Sequence, residues 1–259
     1  MAAVAYGELP TLRVAGAALE YRRIAGDPGR ATIVLLHEGL GCVALWRDFP
    51  ERLAAATGNP VFAYSRAGYG ASAPIVLPRP LDYMSREATD TLPQVISAAG
   101  ITRYILLGHS DGASIALVHA GTAPAGLDST IVMAPHVFTE ACSVASIRLA
   151  DEAYRGRDLR RRLAKYHGSN VDFAFRGWCD SWLAPDFLAW SIEASLAGIT
   201  TPVLQIQGKD DEYGTIEQLR RIERGVPGAV ETLLLDDCGH APQFDRAPAT
   251  LAAVAEFCR

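Results

Sequence analysis

The sequence lacks the features that mark nucleic-acid-binding and membrane-spanning proteins. Its formal net charge is -5 and its pI is about 5.7, whereas a nucleic-acid binder normally presents a net basic surface. No stretch approaches the roughly 18 uninterrupted apolar residues of a membrane helix, and the first ten residues contain no basic segment followed by an apolar core. We therefore expect a cytoplasmic protein that binds neither nucleic acid nor a membrane.

The spacings typical of disulfide frameworks and metal sites are also missing. The five cysteines have no C-x-x-C spacing, and an odd number cannot pair completely, so a reducing compartment is the simpler interpretation. They are Cys42, Cys142, Cys179, Cys238 and Cys258. No pair of histidines has H-x-x-x-H spacing with a carboxylate nearby, so we predict that the protein binds no metal ion.

What is present is an alternation of short apolar runs and longer helix-forming segments from residue 31 onward. This pattern is typical of βαβ units that build a parallel sheet. Two alternating runs before residue 27 predict an opening hairpin. The strands predicted after it cover 32–37, 60–65, 104–109, 129–134, 202–208 and 231–236. The helices are predicted in 45–57, 83–100, 113–121, 214–225 and 247–259.

One interval breaks this alternation. Residues 137–199 contain several helical patterns and no strand-like run, and this interval is too long for an ordinary crossover. We interpret it as a helical cap inserted into one core domain, which then comprises residues 1–136 and 200–259.

A serine lies between two glycines in Gly108-His109-Ser110-Asp111-Gly112, after an apolar run and before a helix-forming segment. In this strand, turn and helix context G-x-S-x-G is typical of a nucleophile elbow, where the glycines avoid collisions with neighbouring chain. The alternative is that Ser110 only caps the following helix. We favour the nucleophile, because partners for it follow later in the chain.

Catalysis by serine also needs a base, an acid and donors for an oxyanion. Two predicted strands near the C-terminus are followed by Asp211 and by His240, which we assign as acid and base. Asp210 is the rival acid, and either aspartate could serve only to form a turn. For the oxyanion hole we predict the backbone N-H of Asp111 and that of Gly39 or Leu40, in the loop after the first central strand.

With these motifs in place, the chain resembles the α/β-hydrolase superfamily over nearly its full length. The resemblance rests on "HEGLGC" (37–42), "SRAGYGAS" (65–72), the elbow, the insertion, "GKDDEYG" (208–214) and "CGHAP" (238–242), in the order that the superfamily has them. It implies an α/β-hydrolase fold with a mostly parallel eight-stranded sheet, flanking helices and a helical cap. Two positions depart from the usual pattern: Glu38 stands where the loop commonly has glycine, and Ser65 where the turn often begins with aspartate.

The resemblance implies a serine hydrolase that cleaves a small carboxylic ester or thioester through an acyl-enzyme on Ser110, without a cofactor. Dehalogenases and epoxide hydrolases of this fold carry aspartate as nucleophile, and the Gly-Gly-Ser-Trp-Gly elbow usual in proline iminopeptidases is absent here. One alternative is a hydrolase of carbon-carbon bonds in vinylogous diketones that uses the same three side chains. Another is a non-hydrolytic ligand-binding protein or lyase. The oligomeric state stays open.

Four side chains are candidates for binding the substrate. Trp178 and Trp182 are four residues apart, so they share one face of a helix, where they either pack the cap onto the core or line an acyl pocket. His136 follows a predicted strand at the edge where a ligand would lie. Glu38 either binds a polar group of the substrate together with Arg66 or forms an ion pair with it.

Overall fold

Eight strands form one mixed sheet in the computed structural model, which describes residues 9–156 and 158–259. The order across the sheet is β1-β2-β4-β3-β5-β6-β7-β8. Strand β2 is antiparallel to both of its neighbours, β1 and β4, and every neighbouring pair from β4 to β8 is parallel. The strands are β1 (Thr11–Val14), β2 (Ala17–Ile24), β3 (Thr32–Leu36), β4 (Val61–Tyr64), β5 (Tyr104–His109), β6 (Leu127–Met133), β7 (Val203–Gly208) and β8 (Val230–Leu235). This arrangement confirms the predicted fold class.

The central strands are buried on both faces, which explains why they are continuous apolar runs in the sequence. In β3, Ile33 and Leu35 face one hydrophobic core, and Val34 and Leu36 face the other. All four are at most 1 % exposed, so the alternation separates two cores rather than core from solvent. Strand β5 has the predicted bounds, and the other parallel strands begin and end within two residues of them.

Helices cover both faces of the sheet. Those of the core are α1 (Phe49–Thr57), α2 (Tyr83–Arg86), α3 (Leu92–Ala98), α4 (Asp111–Ala120), α9 (Glu217–Gly225), α10 (Pro242–Asp245) and α11 (Ala247–Phe257). The ends of α1 show how the sequence sets them. Pro50 lies in its first turn, where its missing N-H costs nothing, and Gly58 ends it in the left-handed conformation with φ 74°.

The segment between β6 and β7 is helical, as the sequence predicts. It contains α5 (Ala141–Gly156), α6 (Leu159–His167), α7 (Val171–Trp182) and α8 (Glu193–Leu196). Helix α7 buries an aromatic face that belongs to the same hydrophobic core as β3 and β5. The division of the chain into a core and a cap with boundaries at 137 and 199 stays a prediction.

Within residues 9–156 and 158–259, no helix has both the length and the apolar character needed to cross a bilayer.

Candidate active site

Ser110 lies at the junction of β5 and α4 in a backbone conformation that few residues adopt. Its φ of 53° and ψ of -119° place it in the left-handed half of φ space, which strains a residue with a side chain. The sharp turn brings chain segments into contact: a Cβ added to Gly108 would lie 2.2 Å from the Gly112 carbonyl oxygen. One added to Gly112 would lie 2.0 Å from the Leu36 carbonyl oxygen. The Ser110 side chain makes no capping hydrogen bond to α4, so the helix-cap interpretation has no support.

Asp211 and His240 are brought together at the carboxyl ends of β7 and β8. The Nδ1 atom of His240 lies 2.8 Å from Oδ1 of Asp211, whose side chain is almost completely buried. The two loops approach closely at Gly208, where an added Cβ would lie 2.0 Å from the Cys238 carbonyl oxygen. A glycine at the end of β7 thus allows the loop with His240 to reach Asp211.

Each member of this pair alters the pKa of the other. Burial lowers the pKa of His240, but the hydrogen bond and the negative charge of Asp211 outweigh burial and leave that pKa above its ordinary value. Burial raises the pKa of Asp211, yet the hydrogen bond and charge of His240 bring it below its ordinary value. Asp211 is therefore ionised, and its hydrogen bond assigns the proton of neutral His240 to Nδ1, so that Nε2 can accept one.

The rival aspartate is placed differently. Asp210 is exposed, and its backbone N-H donates to the Cys238 carbonyl oxygen at 2.9 Å. Of the two aspartates, only Asp211 contacts the imidazole of His240. The structure thus favours Asp211 as the acid.

Ser110 and His240 line the same cavity, but they are not joined. In the described part of the chain, the Ser110 hydroxyl makes no hydrogen bond to the imidazole. Catalytic hydrogen bonds are often long in ligand-free sites and shorten when substrate binds. The structure brings Asp211 and His240 together as a hydrogen-bonded pair and places Ser110 in the same cavity.

The loop after β3 offers one free oxyanion donor rather than two. The Leu40 N-H donates to Oε2 of Glu38 at 2.7 Å and is therefore engaged. No such competing acceptor within residues 9–156 and 158–259 binds the Gly39 N-H, and Gly39 lines the cavity. The Asp111 N-H belongs to the first turn of α4, where backbone donors have no intrahelical acceptor. This favours Gly39 over Leu40 as the partner of Asp111.

A second set of contacts holds that loop in place. His37 donates from Nδ1 to the Glu38 carbonyl oxygen at 2.7 Å and accepts the Arg66 N-H at Nε2. The Arg66 guanidinium donates to the carbonyl oxygens of His37, at 2.6 Å, and of Glu38, at 3.1 Å. Arg66 therefore binds the backbone of the loop rather than the Glu38 carboxylate, and the direct ion pair that we considered is not formed.

The cavity above Ser110 has a volume of about 250 Å³ and contains all four candidate substrate-binding residues. Trp178 packs directly on Gly39: a Cβ added to that glycine would lie 2.2 Å from the Nε1 atom of Trp178. The Trp182 indole N-H is shared by Tyr83 Oη and Asp111 Oδ1, each at 3.2 Å. The described lining residues are Glu38, Gly39, Leu40, His109, Ser110, Asp111, His136, Ser143, Ile147, Trp178, Trp182, Glu212, Tyr213, His240 and Ala241.

These observations agree with the match of the sequence to a family model. Residues 33–254 match the model of the alpha/beta hydrolase family, which is most of the chain. This protein belongs to the alpha/beta hydrolase family. The matched region contains every catalytic candidate, and the coarse activity follows: the protein is an α/β hydrolase.

Similar proteins include hydrolases of several kinds. The chain of this α/β hydrolase is 26% identical over 249 residues to an N-formylmaleamate deformylase of Pseudomonas putida, covering 88% of this chain and 89% of that protein. It is 26% identical over 270 residues to a 2-hydroxy-6-oxononadienedioate/2-hydroxy-6-oxononatrienedioate hydrolase of Cupriavidus pinatubonensis, covering 92% and 91%. An esterase from Exiguobacterium antarcticum has a similar fold, with a TM-score of 0.77 at 17% identity over 97% of this chain and 99% of that one.

Several residues of the site in this α/β hydrolase escaped the sequence analysis. Tyr83 donates to Oδ2 of Asp111 at 2.5 Å, and nothing in the local sequence pattern links these two positions. The Tyr213 ring packs against His240 at a tilt of 43° with ring centroids 4.7 Å apart, and its place two residues after Asp211 is a signal that could have found it. Ser143 and Ile147 are one helical turn apart on α5, and this spacing does not distinguish a lining face from any other buried face.

Two further histidines, His109 and His136, also line the cavity. His109 contacts the His240 carbonyl oxygen at 2.7 Å through Nε2 and Gln243 through Nδ1, so it fixes the loop that carries the base. Burial lowers the pKa of His136 to about 3, and Nδ1 of His136 has no hydrogen-bond partner among the described residues. Cys238 is buried. Within the described ranges, no group of three potential ligands is arranged to hold a metal ion.

Proposed function

We propose that this α/β hydrolase is a serine hydrolase that cleaves a small carboxylic ester or thioester through an acyl-enzyme on Ser110. The observation that carries the proposal is the arrangement at one cavity. A serine in a strained turn lies there beside a hydrogen-bonded Asp211-His240 pair. Such a combination is what nucleophilic catalysis by a hydroxyl requires.

In the proposed reaction, His240 Nε2 takes the proton of the Ser110 hydroxyl as the oxygen attacks the substrate carbonyl carbon. Asp211 holds the imidazole through Nδ1 and stabilises its positive charge. The oxyanion accepts hydrogen bonds from the Gly39 and Asp111 N-H groups, each worth about 2.7 to 4 kcal/mol of barrier. His240 then protonates the leaving group. Water activated by His240 attacks the acyl carbon and releases the acid, which restores the serine.

The first test replaces the nucleophile. Ser110→Ala should remove nearly all ester hydrolysis, because no bond to the acyl group can form. The expected fall in kcat is about 10⁶-fold. Its fold should stay intact, since the hydroxyl makes no hydrogen bond to α4. Turnover of p-nitrophenyl acetate and near-UV circular dichroism measure the two effects. Turnover at the wild-type rate would contradict the covalent mechanism.

A fluorophosphonate probe separates a hydrolase from a ligand-binding member of the fold. It should label the wild-type protein once, and peptide mass spectrometry should place the label on Ser110. Folded wild-type protein that stays unlabelled would favour the ligand-binding or lyase alternative.

The relative named as a 2-hydroxy-6-oxononadienedioate hydrolase favours carbon-carbon bond hydrolysis as the second candidate. The same three side chains would serve it. Parallel assays on short p-nitrophenyl esters and on vinylogous 1,5-diketones separate the two reactions. A kcat/KM at least about tenfold higher for the diketone, which is about 1.4 kcal/mol in the barrier, would favour the second candidate.

A further inference from the structure

The cavity of this enzyme has an uneven distribution of charge. Among the lining residues that the structure describes, there is no lysine or arginine, whereas Glu38, Asp111 and Glu212 bring carboxyl groups. Clefts lined by one sign of charge repel ligands of the same sign. The three carboxyl groups differ in how strongly each would act on a bound substrate.

The surroundings of two of these carboxyl groups prevent them from acting strongly on a substrate. Asp111 is completely buried, and both of its oxygens accept hydrogen bonds, from Tyr83 and Trp182. Glu212 is exposed, where water and salt screen its charge.

Glu38 differs from both. It is half-buried beside the Gly39 donor, with Oε2 accepting the Leu40 N-H at 2.7 Å. Its second oxygen, Oε1, makes no hydrogen bond to any residue within the described ranges and is not enclosed by protein. The nearest guanidinium, that of Arg66, is directed to two backbone carbonyl oxygens. Glu38 therefore lines the cavity beside Gly39 with a carboxyl group that has one oxygen without a hydrogen-bond partner among the described residues.

We infer that Glu38 determines substrate specificity, by making the cavity select neutral or ammonium-bearing substrates over those that carry a carboxylate. The inference rests on the proposed function, since it concerns the substrate of the same site. The physical reason is Coulomb repulsion at a half-buried group, where two like charges a few ångströms apart cost more than in solvent.

The charge on Glu38 depends on pH in a range that can be measured. Burial raises the pKa of Glu38 to about 7, against the opposing effects of the Leu40 N-H, Arg66 and His240, while Asp111 raises it further. The charge of Glu38 also raises the pKa of Tyr213, which lies in the loop after β7. Discrimination against anions should increase as the pH rises through this range, because more Glu38 is ionised.

The turnover experiment uses three acetate esters of phenols that carry a carboxylate, a carboxamide or a trimethylammonium group at the meta position. For the wild type, kcat/KM should be about tenfold higher for the carboxamide than for the carboxylate ester. Glu38→Gln keeps an acceptor for the Leu40 N-H and should reduce that ratio to about threefold or less. Because each ester is compared between variants, differences in its intrinsic reactivity cancel.

A matched control and a pH series exclude a purely structural effect. Glu152→Gln removes the same charge from an exposed position on α5 and should leave the ratio unchanged. From about pH 6 to about pH 8 the ratio should increase in the wild type and stay flat in Glu38→Gln. The titration of His240 affects all three esters equally, so it cancels in the ratio. A flat wild-type ratio would overturn the inference even if the variant failed to fold.

A binding experiment distinguishes failure of this inference from failure of the proposed function. Benzamidine, benzamide and benzoate have nearly the same shape and differ in charge, and calorimetric titration into Ser110→Ala should rank their affinities in that order. If that order holds and Glu38→Gln in the same background removes it, while the wild type hydrolyses none of the esters, the proposed function fails and the inference about Glu38 stands. If the esters are hydrolysed but Glu38→Gln leaves the ratio unchanged, the inference is wrong and the proposed function stands.

Discussion

The imidazole of His240 experiences opposing influences in the folded protein. Burial disfavours its charged form, while the Asp211 carboxylate, 2.8 Å away, favours it and prevails. A base whose pKa lies above its ordinary value of 6.5 is protonated, and so inactive, over a wider range of acidic pH. The pH dependence of activity therefore reports on the pairing of His240 with Asp211.

The first prediction concerns that dependence. In the wild type, kcat/KM for a neutral ester should rise with pH through a pKa above 6.5, as His240 loses its proton. In Asp211→Asn burial is opposed only by the charges of Glu212 and Glu38, which raise the His240 pKa less than Asp211 does, so the acidic limb should move to lower pH. Profiles of kcat/KM from about pH 5 to about pH 9 for both proteins measure the shift. A limb that stays in place in Asp211→Asn would mean that another group titrates.

The second prediction separates the two adjacent aspartates. Asp211→Asn should lower kcat by about 10⁴ at neutral pH, because the amide no longer stabilises the imidazolium or selects the tautomer. Asp210→Asn is the matched control, since the same change at an exposed side chain should stay within about twofold of the wild type. Steady-state kinetics on one ester compare the two. The reverse ranking would transfer the role of acid to Asp210.

At the scale of elements, the turn from β5 into α4 is constrained by close packing of backbone. Gly108 lies against Gly112, and Gly112 lies against the end of β3. These contacts bring the nucleophile next to the loop that carries the Gly39 donor. The glycines of G-x-S-x-G are thus required by contacts between three elements as well as by the turn itself.

The third prediction tests this packing. Gly112→Ala should lower the free energy of unfolding by about 3 kcal/mol or more, because its Cβ would lie 2.0 Å from the Leu36 carbonyl oxygen and backbone must move. Gly156→Ala, at the end of α5, meets no atom within 4 Å and should not destabilise the protein. Urea denaturation followed by fluorescence compares both variants. Equal stability of the two would show that the elbow tolerates a methyl group.

At the scale of the whole molecule, a buried polar contact joins the helices between β6 and β7 to two helices that cover the sheet. Trp182 of α7 donates to Asp111 of α4 and to Tyr83 of α2, so three elements meet at one buried carboxylate. This carboxylate belongs to the residue whose N-H faces the proposed oxyanion. Attachment of the helical segment and geometry of the site therefore depend on the same residue.

The fourth prediction follows from this contact. Trp182→Phe keeps an aromatic ring but removes the N-H, so a buried carboxylate oxygen loses its donor and the free energy of unfolding should fall by about 1 to 3 kcal/mol. Trp190→Phe is the control, because Trp190 stacks on Phe187 and is only partly buried. Chemical denaturation measures both. Equal losses in the two variants would assign the effect to packing area and not to the hydrogen bond.

The sequence alone determined the features that depend on neighbouring residues. The run 104–109, the glycines around Ser110 and the helix-forming segment after them predicted a strand, a turn and a helix, because periodicity and steric demand act over a few residues. The order of the motifs predicted the family, and Asp211 and His240 followed from their position after strands. The sequence did not predict contacts between distant segments, such as the hydrogen bond from Tyr83 to Asp111.

Tertiary structure decided which of several chemically possible partners each group takes. It engaged the Leu40 N-H with Glu38 and left the Gly39 N-H without an acceptor among the described residues, directed Arg66 to backbone carbonyl oxygens, and placed Asp211 rather than Asp210 against His240. The physical reason is range. Local conformation depends on the residues nearby in the chain, whereas hydrogen bonds and charge effects depend on distances of a few ångströms between segments that only folding brings together.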